Sequence, residues 1–254
     1  MTHRFTGRTA LVTGAGSGIG RAVALAFAAE GARVVVAGRR REPLEETVTL
    51  IEEQGGKALA VSADVSQAAD AEALVRAAVE HFGSLDVAVN NAGVFRGGQP
   101  LADLPEQDWH TQLATNVTGV FLALQAQIRQ MRAQPAGGAI VNVSSTFGLH
   151  TASPGAAAYA ATKAAVTALS RGTALDHIRD GVRINVVSPG ATETPMSLRP
   201  GETEADRAER ARATLPLGRI ATTREVAAAV LYLASDDAAP VVGTDLVVDS
   251  GATL

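Results

Sequence analysis

The stretch TALVTGAGSGIGRAVALAFAAEGA, residues 9–32, decides how the chain folds. It opens on a short apolar run, Thr9–Thr13, that reads as a strand. It closes on RAVALAFAAEGA, which reads as a helix. Between them, Gly14, Gly16, Gly18 and Gly20 occupy four of eight positions. Glycine loses more backbone freedom on folding than any other residue. Such a cluster at a strand-to-helix turn implies that something approaches the backbone closely. The first turn of a helix also offers free N–H groups and the positive end of the helix dipole, so this turn is a candidate anion site.

The same unit recurs along the chain. Further strand candidates lie at 33–37, 58–63, 85–91, 138–145, 182–188 and 245–249. Helical stretches lie at 18–30, 42–54, 67–82, 105–132, 157–180 and 223–235. Strands alternating with helices imply βαβ units, hence a parallel sheet covered on both faces. The strands are nearly continuous apolar runs, as doubly buried strands should be. No internal repeat or interdomain linker interrupts the pattern, so residues 1–254 read as a single domain. One segment is irregular: 193–218 is rich in proline and charge, and its part 199–212 reads as a solvated helix face.

Composition removes several function classes. Hydrophobic residues are 46% and charged residues 19%, which supports a large core and argues against disorder. The net charge of −4 gives no electrostatic case for a nucleic-acid or membrane-surface partner. With no cysteine, disulfides, thiolate catalysis and zinc–sulfur sites are excluded. The five histidines, His3, His81, His110, His150 and His177, have no short metal-ligand spacing, so no metal site is expected. His150 reads as a surface-loop residue, with substrate contact as the alternative. The N-terminus lacks a signal-peptide apolar region and no run is long enough to span a membrane, so a cytoplasmic protein is expected.

The glycine turn admits three readings. A P-loop needs G-x-x-x-x-G-K-[ST], and no lysine follows. The strict G-x-G-x-x-G dinucleotide spacing is also absent. What stands here is Gly14-x-x-x-Gly18-x-Gly20, a longer loop in the same place. A plain βα turn is the ordinary alternative. A nucleophile elbow G-x-S-x-G fails, because Ser17 is flanked directly by Gly16 and Gly18.

The turn is followed, in order, by NNAG at 90–93, Ser-Ser-x-x-Gly at 144–148, Tyr159-x-x-x-Lys163 and SPG at 188–190. This set resembles the short-chain dehydrogenase/reductase family in its compact form, over essentially the whole chain. The resemblance implies a doubly wound Rossmann-type α/β domain, a seven-stranded parallel sheet of order 3-2-1-4-5-6-7 with helices on both faces. It implies an oxidoreductase that moves a hydride between a nicotinamide cofactor and a carbonyl or secondary alcohol carbon of a small-molecule substrate.

Tyr159 and Lys163 sit at i and i+4, on one helix face. An ordinary surface pair is the usual meaning of that spacing. A phenol beside a fixed cation can instead have its pKa, ordinarily about 10, lowered until it serves as a general acid or base. The resemblance assigns Tyr159 that role, Lys163 the tuning role and a hold on the nicotinamide ribose, and Ser145 a hydrogen bond to the reacting oxygen. Ser144 stays as the alternative, since Ser145 precedes Tyr159 by 14 residues, one more than is usual in the family. The resemblance also makes Asn116 the helix residue whose carbonyl holds a relay water. A helix-interior asparagine bonding nearby backbone is the ordinary alternative.

For the cofactor, the resemblance implicates Gly14, Gly16, Ser17, Gly18 and Ile19 at the pyrophosphate, and Asp64 and Val65 at adenine. Asn91 and Gly93 fall at a ribose, and Pro189, Gly190, Thr192 and Thr194 at the nicotinamide carboxamide. Asp64 could otherwise serve as a helix N-cap, as could Ser66. At the end of the second strand an acidic residue would read an unphosphorylated ribose. Here Gly38 is followed by Arg39, Arg40 and Arg41, and a guanidinium suits a phosphate. NADP(H) is therefore favoured over NAD(H), although Ser17 stands where many NADP-dependent relatives carry a basic residue. Phe95, Phe147 and Met196 suggest an apolar pocket, with core packing as the equal alternative for each. By resemblance, a mobile lid is the alternative reading of 199–212, and the protein is a homodimer or homotetramer built on the helices at 105–132 and 157–180. A non-catalytic nucleotide-binding regulator and a lyase or epimerase of the same fold are the rival readings.

Overall fold

The computed structural model describes residues 3–254. Its elements run β1 (Thr9–Thr13), α1 (Gly18–Ala29), β2 (Arg33–Gly38), α2 (Arg41–Glu52), β3 (Lys57–Ser62), α3 (Ala68–Phe82) and β4 (Val87–Asn90). Then come α4 (Glu106–Gln112), a π-helical turn (Leu113–Thr118), α5 (Gly119–Arg132), β5 (Gly138–Val143), α6 (Thr146–Leu149) and α7 (Ala157–His177). The chain ends through β6 (Val182–Pro189), α8 (Glu204–Thr214), α9 (Thr223–Ala234) and β7 (Asp245–Val248). All strands pair in parallel in the order β3-β2-β1-β4-β5-β6-β7, as expected. The order reverses between β1 and β4. The crevice above the carboxyl ends of these two strands is where such sheets receive ligands.

Strand side chains alternate between two cores. Ala10, Val12, Val34, Val36, Val87 and Val89 pack with residues of α1, α2 and α9 on one face. Leu11, Val35, Ala37 and Ala88 pack with residues of α3, α5 and α7 on the other. Each fully buried aliphatic side chain contributes about 1.5–3 kcal/mol relative to exposure. The edge strands depart from the expected double burial. Along β3 and β7 most residues are only half-buried, because each has a neighbour on one side only. Among the described residues, no helix is long and apolar enough to cross a membrane.

The helix expected over 105–132 runs without interruption from Glu106 to Arg132. Its middle widens into the π turn that carries Asn116. The Asn116 side chain takes both the N–H and the C=O of Val94, at 2.8 and 2.9 Å, so the helix opens where a loop must be held. Such π bulges recur at functional sites.

The glycine turn partly serves the chain itself. A Cβ at Gly20 would overlap the Gly14 carbonyl oxygen and lie 2.5 Å from Asn91 Nδ2. At Gly14, where φ is +66°, a Cβ would lie 2.8 Å from that nitrogen and 3.0 Å from Ala92 Cα. So two of the four glycines admit the end of β4 rather than a ligand. Gly20→Ala is expected to lower stability by about 1–3 kcal/mol, the usual cost of forcing atoms into packed space. Gly172→Ala, in exposed helix with no atom near the new methyl, should raise it by roughly 0.8 kcal/mol. Denaturant unfolding of the two variants checks both signs.

Candidate active site

The turn from β1 into α1 is fastened from two sides. The Thr13 hydroxyl accepts the N–H groups of Asn91 and Ala92, each at 3.1 Å. Asn91 Nδ2 donates to the Thr13 carbonyl at 3.0 Å. Its amide therefore clamps β4 to β1. On the far side Arg21 donates to the Gly16 carbonyl, to Thr47 and to Glu46, at 2.5, 3.0 and 2.7 Å. Neither Thr13 nor Arg21 stood out in the sequence, although a threonine ending an apolar strand is a signal of such a clamp. Ser17 is the exposed N-cap of α1, and its side chain makes no capping bond, so the first-turn N–H groups face the crevice uncapped. Ile19 packs under the turn against the core. A Cβ at Gly18 would lie 3.2 Å from Thr194 Cγ2, so the segment after β6 meets the glycine turn here.

The end of β2 carries no carboxylate. Arg39 and Arg40 are exposed and have no carboxylate partner among the described residues, whereas Arg41 pairs with Glu45 at 2.6 Å. Asp64 Oδ1 accepts the Ser66 N–H and O–H, at 3.0 and 2.8 Å. These bonds, with a smaller contribution from the nearby Arg39 charge, hold its carboxyl below the usual range. Neither Asp64 nor Ser66 caps α3; Gln67 takes the N-cap position. Val65 packs its methyls against the backbone of Gly119.

Beyond the end of β5, the two serines differ. Ser144 is buried, donates to the Lys163 carbonyl at 2.9 Å and accepts from Thr167 at 3.0 Å. Ser145 caps α6 by accepting the Phe147 N–H at 3.2 Å, and its side chain is near enough to Tyr159 to pull that phenol's pKa down. Lys163 is 4% exposed and donates from Nζ to the Val143 carbonyl at 2.9 Å. Nζ lies 5.7 Å from the centre of the Tyr159 ring. A Cβ at Gly93 would stand 3.5 Å from Nζ and 3.4 Å from Asn116 Oδ1, so glycine keeps the space before the ammonium open. Asn116 Nδ2 also donates to Thr162 at 3.1 Å, which ties the π turn to α7.

Burial governs both titrating groups. It pushes the Tyr159 phenol up to about 12, against the weaker opposing pull of Ser145. Burial also brings Lys163 down to about 8. The expected lowering of the tyrosine by the lysine is absent in this state, because removing a phenolate from water costs more than an ammonium across the ring returns.

The substrate side is walled by two loops. Phe95 stands edge-on to Tyr159, ring centres 5.2 Å apart. Gln112, one turn before Asn116, accepts the Arg96 N–H at 3.2 Å, so the two amides grip residues 94–96. Gly98 donates its N–H to the Gly155 carbonyl at 3.0 Å, and a Cβ at Gly155 would lie 2.7 Å from the Gly98 carbonyl carbon. His150 is no free surface residue: its Nε2 bonds Asp245 at 2.9 Å. The charged segment is also not simply solvated. Arg207 is buried and donates to the Thr194 carbonyl and the Ser197 hydroxyl, at 3.1 and 3.0 Å. Met196 is exposed. At the root of the segment, Gly190 receives the flank of Asp249, and Thr192 donates to the Gly190 carbonyl at 3.0 Å.

A glycine turn where the sheet order reverses, beside a Ser–Tyr–Lys group whose lysine is buried, is the arrangement of a class of dinucleotide-dependent enzymes, and similarity to known proteins agrees. Residues 14–253 match the family model described as enoyl-(acyl carrier protein) reductase. The A-factor type gamma-butyrolactone 1'-reductase of Streptomyces virginiae is 42% identical, over 100% of both chains. The cis-4-hydroxycyclohexanecarboxylate dehydrogenase of Sinomonas cyclohexanicum is 40% identical, over 100% of this chain and 99% of its own. The crystal structure of levodione reductase superposes with a TM-score of 0.92 at 37% identity, covering 98% of this chain and 99% of that one. The chain belongs to the short-chain dehydrogenase/reductase family.

Lys163 burial has a thermodynamic signature. Folded, it gives up its proton near pH 8; unfolded, near 10.5. Keeping it charged inside the folded protein at pH 7 costs on the order of 3 kcal/mol, and stability rises with pH between those two values. Tyr159 acts in the opposite sense, and stability falls from about pH 10 to about 12 as only the unfolded phenol ionises. Lys163→Met is expected to stabilise the free protein at pH 7 by about 2 kcal/mol after the lost bond to the Val143 carbonyl. The gain should shrink above pH 8. Unfolding midpoints across pH check this, and a midpoint lowered at pH 7 would contradict it.

Proposed function

We propose that the chain is a reductase/dehydrogenase that interconverts a ketone and a secondary alcohol of a small molecule, with NADP(H) preferred over NAD(H). The observation that carries this reading is the placement of Ser145, Tyr159 and Lys163 around one open space, beside a crevice floored by uncapped helix N–H groups. The cradle fits a dinucleotide. A Cβ at Gly16 would press on Pro43 at 3.0 Å and one at Gly18 on Thr194 at 3.2 Å, so glycine lets both pack close to the turn, and glycine at 93 keeps the approach to Lys163 clear. The N–H groups of residues 16–19 would hold the pyrophosphate, Asp64 and Val65 the adenine, and Lys163 with Asn91–Gly93 a ribose. Pro189, Gly190, Thr192 and Thr194 would hold the carboxamide. Bound there, the nicotinamide supplies or accepts the hydride.

The chain's own groups manage the proton. Ser145 donates a hydrogen bond to the reacting oxygen and keeps it before the Tyr159 hydroxyl. Tyr159 gives its proton to that oxygen in reduction and takes it back in oxidation. Its high free-state pKa keeps it protonated at neutral pH, ready for the reductive direction. The Lys163 charge, held on the Val143 carbonyl, stabilises the phenolate as it forms. Asn116 holds the π turn, and with it the wall of residues 94–96, at a fixed distance from that pair.

Two measurements test this. Nicotinamide absorbance is followed with cyclohexanone and other ketones, and with the matching secondary alcohols. Tyr159→Phe should lower kcat about 10²–10⁴-fold with its circular dichroism unchanged; retention of full turnover would refute the assignment. Arg39→Ala should raise KM for NADPH about tenfold or more, the worth of a charge-assisted hydrogen bond, and barely move that for NADH. Equal changes for both cofactors would remove the case for phosphate recognition.

A further inference from the structure

Ser145 sits at the head of a turn whose geometry is irregular. Phe147 leaves the helical region (ψ 123°) and Gly148 adopts φ +125°, packed on the backbone of Ala160 and Ala164. Inside the turn, the Thr146 carbonyl accepts the N–H groups of His150 and Thr151, at 3.2 and 3.0 Å. These bonds give it shape and do not fix it to the sheet. The Ser144 N–H, on the Val187 carbonyl at 2.8 Å, ties the start of the turn to β6, and the bond that ties its far end comes from farther away. His150 Nε2 reaches Asp245 Oδ2 at 2.9 Å, and the other carboxylate oxygen accepts the Ser188 hydroxyl at 2.6 Å. The Asp245 side chain is 1% exposed and the His150 side chain 25%. An ionised carboxylate only accepts, so Nε2 carries the proton it donates.

The two ends of this chain lie at different parts of the active site. His150 ends the turn that begins at Ser145. Ser188 immediately precedes Pro189 and Gly190. We propose that His150 is a positioning residue: through buried Asp245 it locks the Ser145 turn to the strand end at Ser188, and so sets the distance between the proton-transfer side and the cofactor side. The inference rests on the oxidoreductase reading for its catalytic part only. Loss of His150 leaves a buried carboxylate oxygen without its donor, and the turn swings or loosens to find water. Misplacement of about an ångström costs roughly 10²-fold in rate, so slight loosening is measurable. A direct substrate contact through Nε2 is incompatible with the bond to Asp245.

The test begins without cofactor or substrate. Amide hydrogen exchange is followed by mass spectrometry on the free protein and on His150→Ala, His150→Gln, Asp245→Asn and Ser188→Ala. His150→Ala should speed exchange across 146–151 about tenfold or more, while the glutamine amide, which can still donate to Asp245, restores protection. Unchanged exchange in His150→Ala overturns the lock, whatever the activity does. Should that variant not fold, Ser188→Ala, which removes one hydroxyl at the other end, must show the faster exchange, and its absence is equally decisive. Kinetics follow with cyclohexanone and NADPH. His150→Ala is expected to lower kcat about fivefold or more with little change in NADPH affinity, and His150→Gln to lie within about twofold of the parent. Adding Asp245→Asn to His150→Ala should cost little more, because both break one chain. A rise in KM alone, or additive losses in the double variant, overturns the positioning role. If the parent itself turns over no ketone or alcohol, the oxidoreductase reading fails, and the exchange result still decides the lock.

Discussion

The structure depends on how closely two strand ends can approach where the sheet order reverses. Between β1 and β4 there is room for backbone and one asparagine amide, and no more. Gly14 and Gly20 provide that room, while Thr13 and Asn91 fill its polar groups. A single added methyl group would spread the strand ends and turn the first helix away from the crevice. Everything the crevice does with an anion follows from that packing, because the uncapped N–H groups point where α1 points.

The second constraint is electrostatic. A buried ammonium and a half-buried phenol lie side by side, the ammonium on a carbonyl and the phenol near a serine. Neither environment favours charge, so in the free state both groups are drawn toward their neutral forms. The site therefore carries a standing cost that folding elsewhere must offset. The two hydrophobic layers supply it, and that is why a destabilising lysine is tolerated.

Most of the fold could be read from the sequence, because strand and helix alternate with little ambiguity and the glycine turn marks the first crossing. The site was legible wherever a motif has fixed spacing: Tyr159 and Lys163 share a helix face by arithmetic alone. What escaped was long-range. Arg21 holding the Gly16 carbonyl, Gln112 holding Arg96 and Arg207 under Thr194 join residues whose separation has no local pattern. The widening at Asn116 escaped for a related reason. Periodicity across 105–132 stays helical, and only the distant Val94 backbone explains why the helix widens. His150 looked like a loop histidine because its partner lies 95 residues away. The direction of the Tyr159 shift was missed since spacing shows the nearby cation and not the depth of burial.

The glycine contact between the two substrate walls has a bearing on how this family diversifies. Because a Cβ at Gly155 would press on the Gly98 backbone and one at Gly97 on the Gly155 carbonyl, neither loop can gain bulk at that seam without moving the other. The two loops, with Phe95 in one and the Ser145 turn leading into the other, thus meet at one seam, and a change there must be made in both together. For redesign of the substrate range, the unit of variation is the pair.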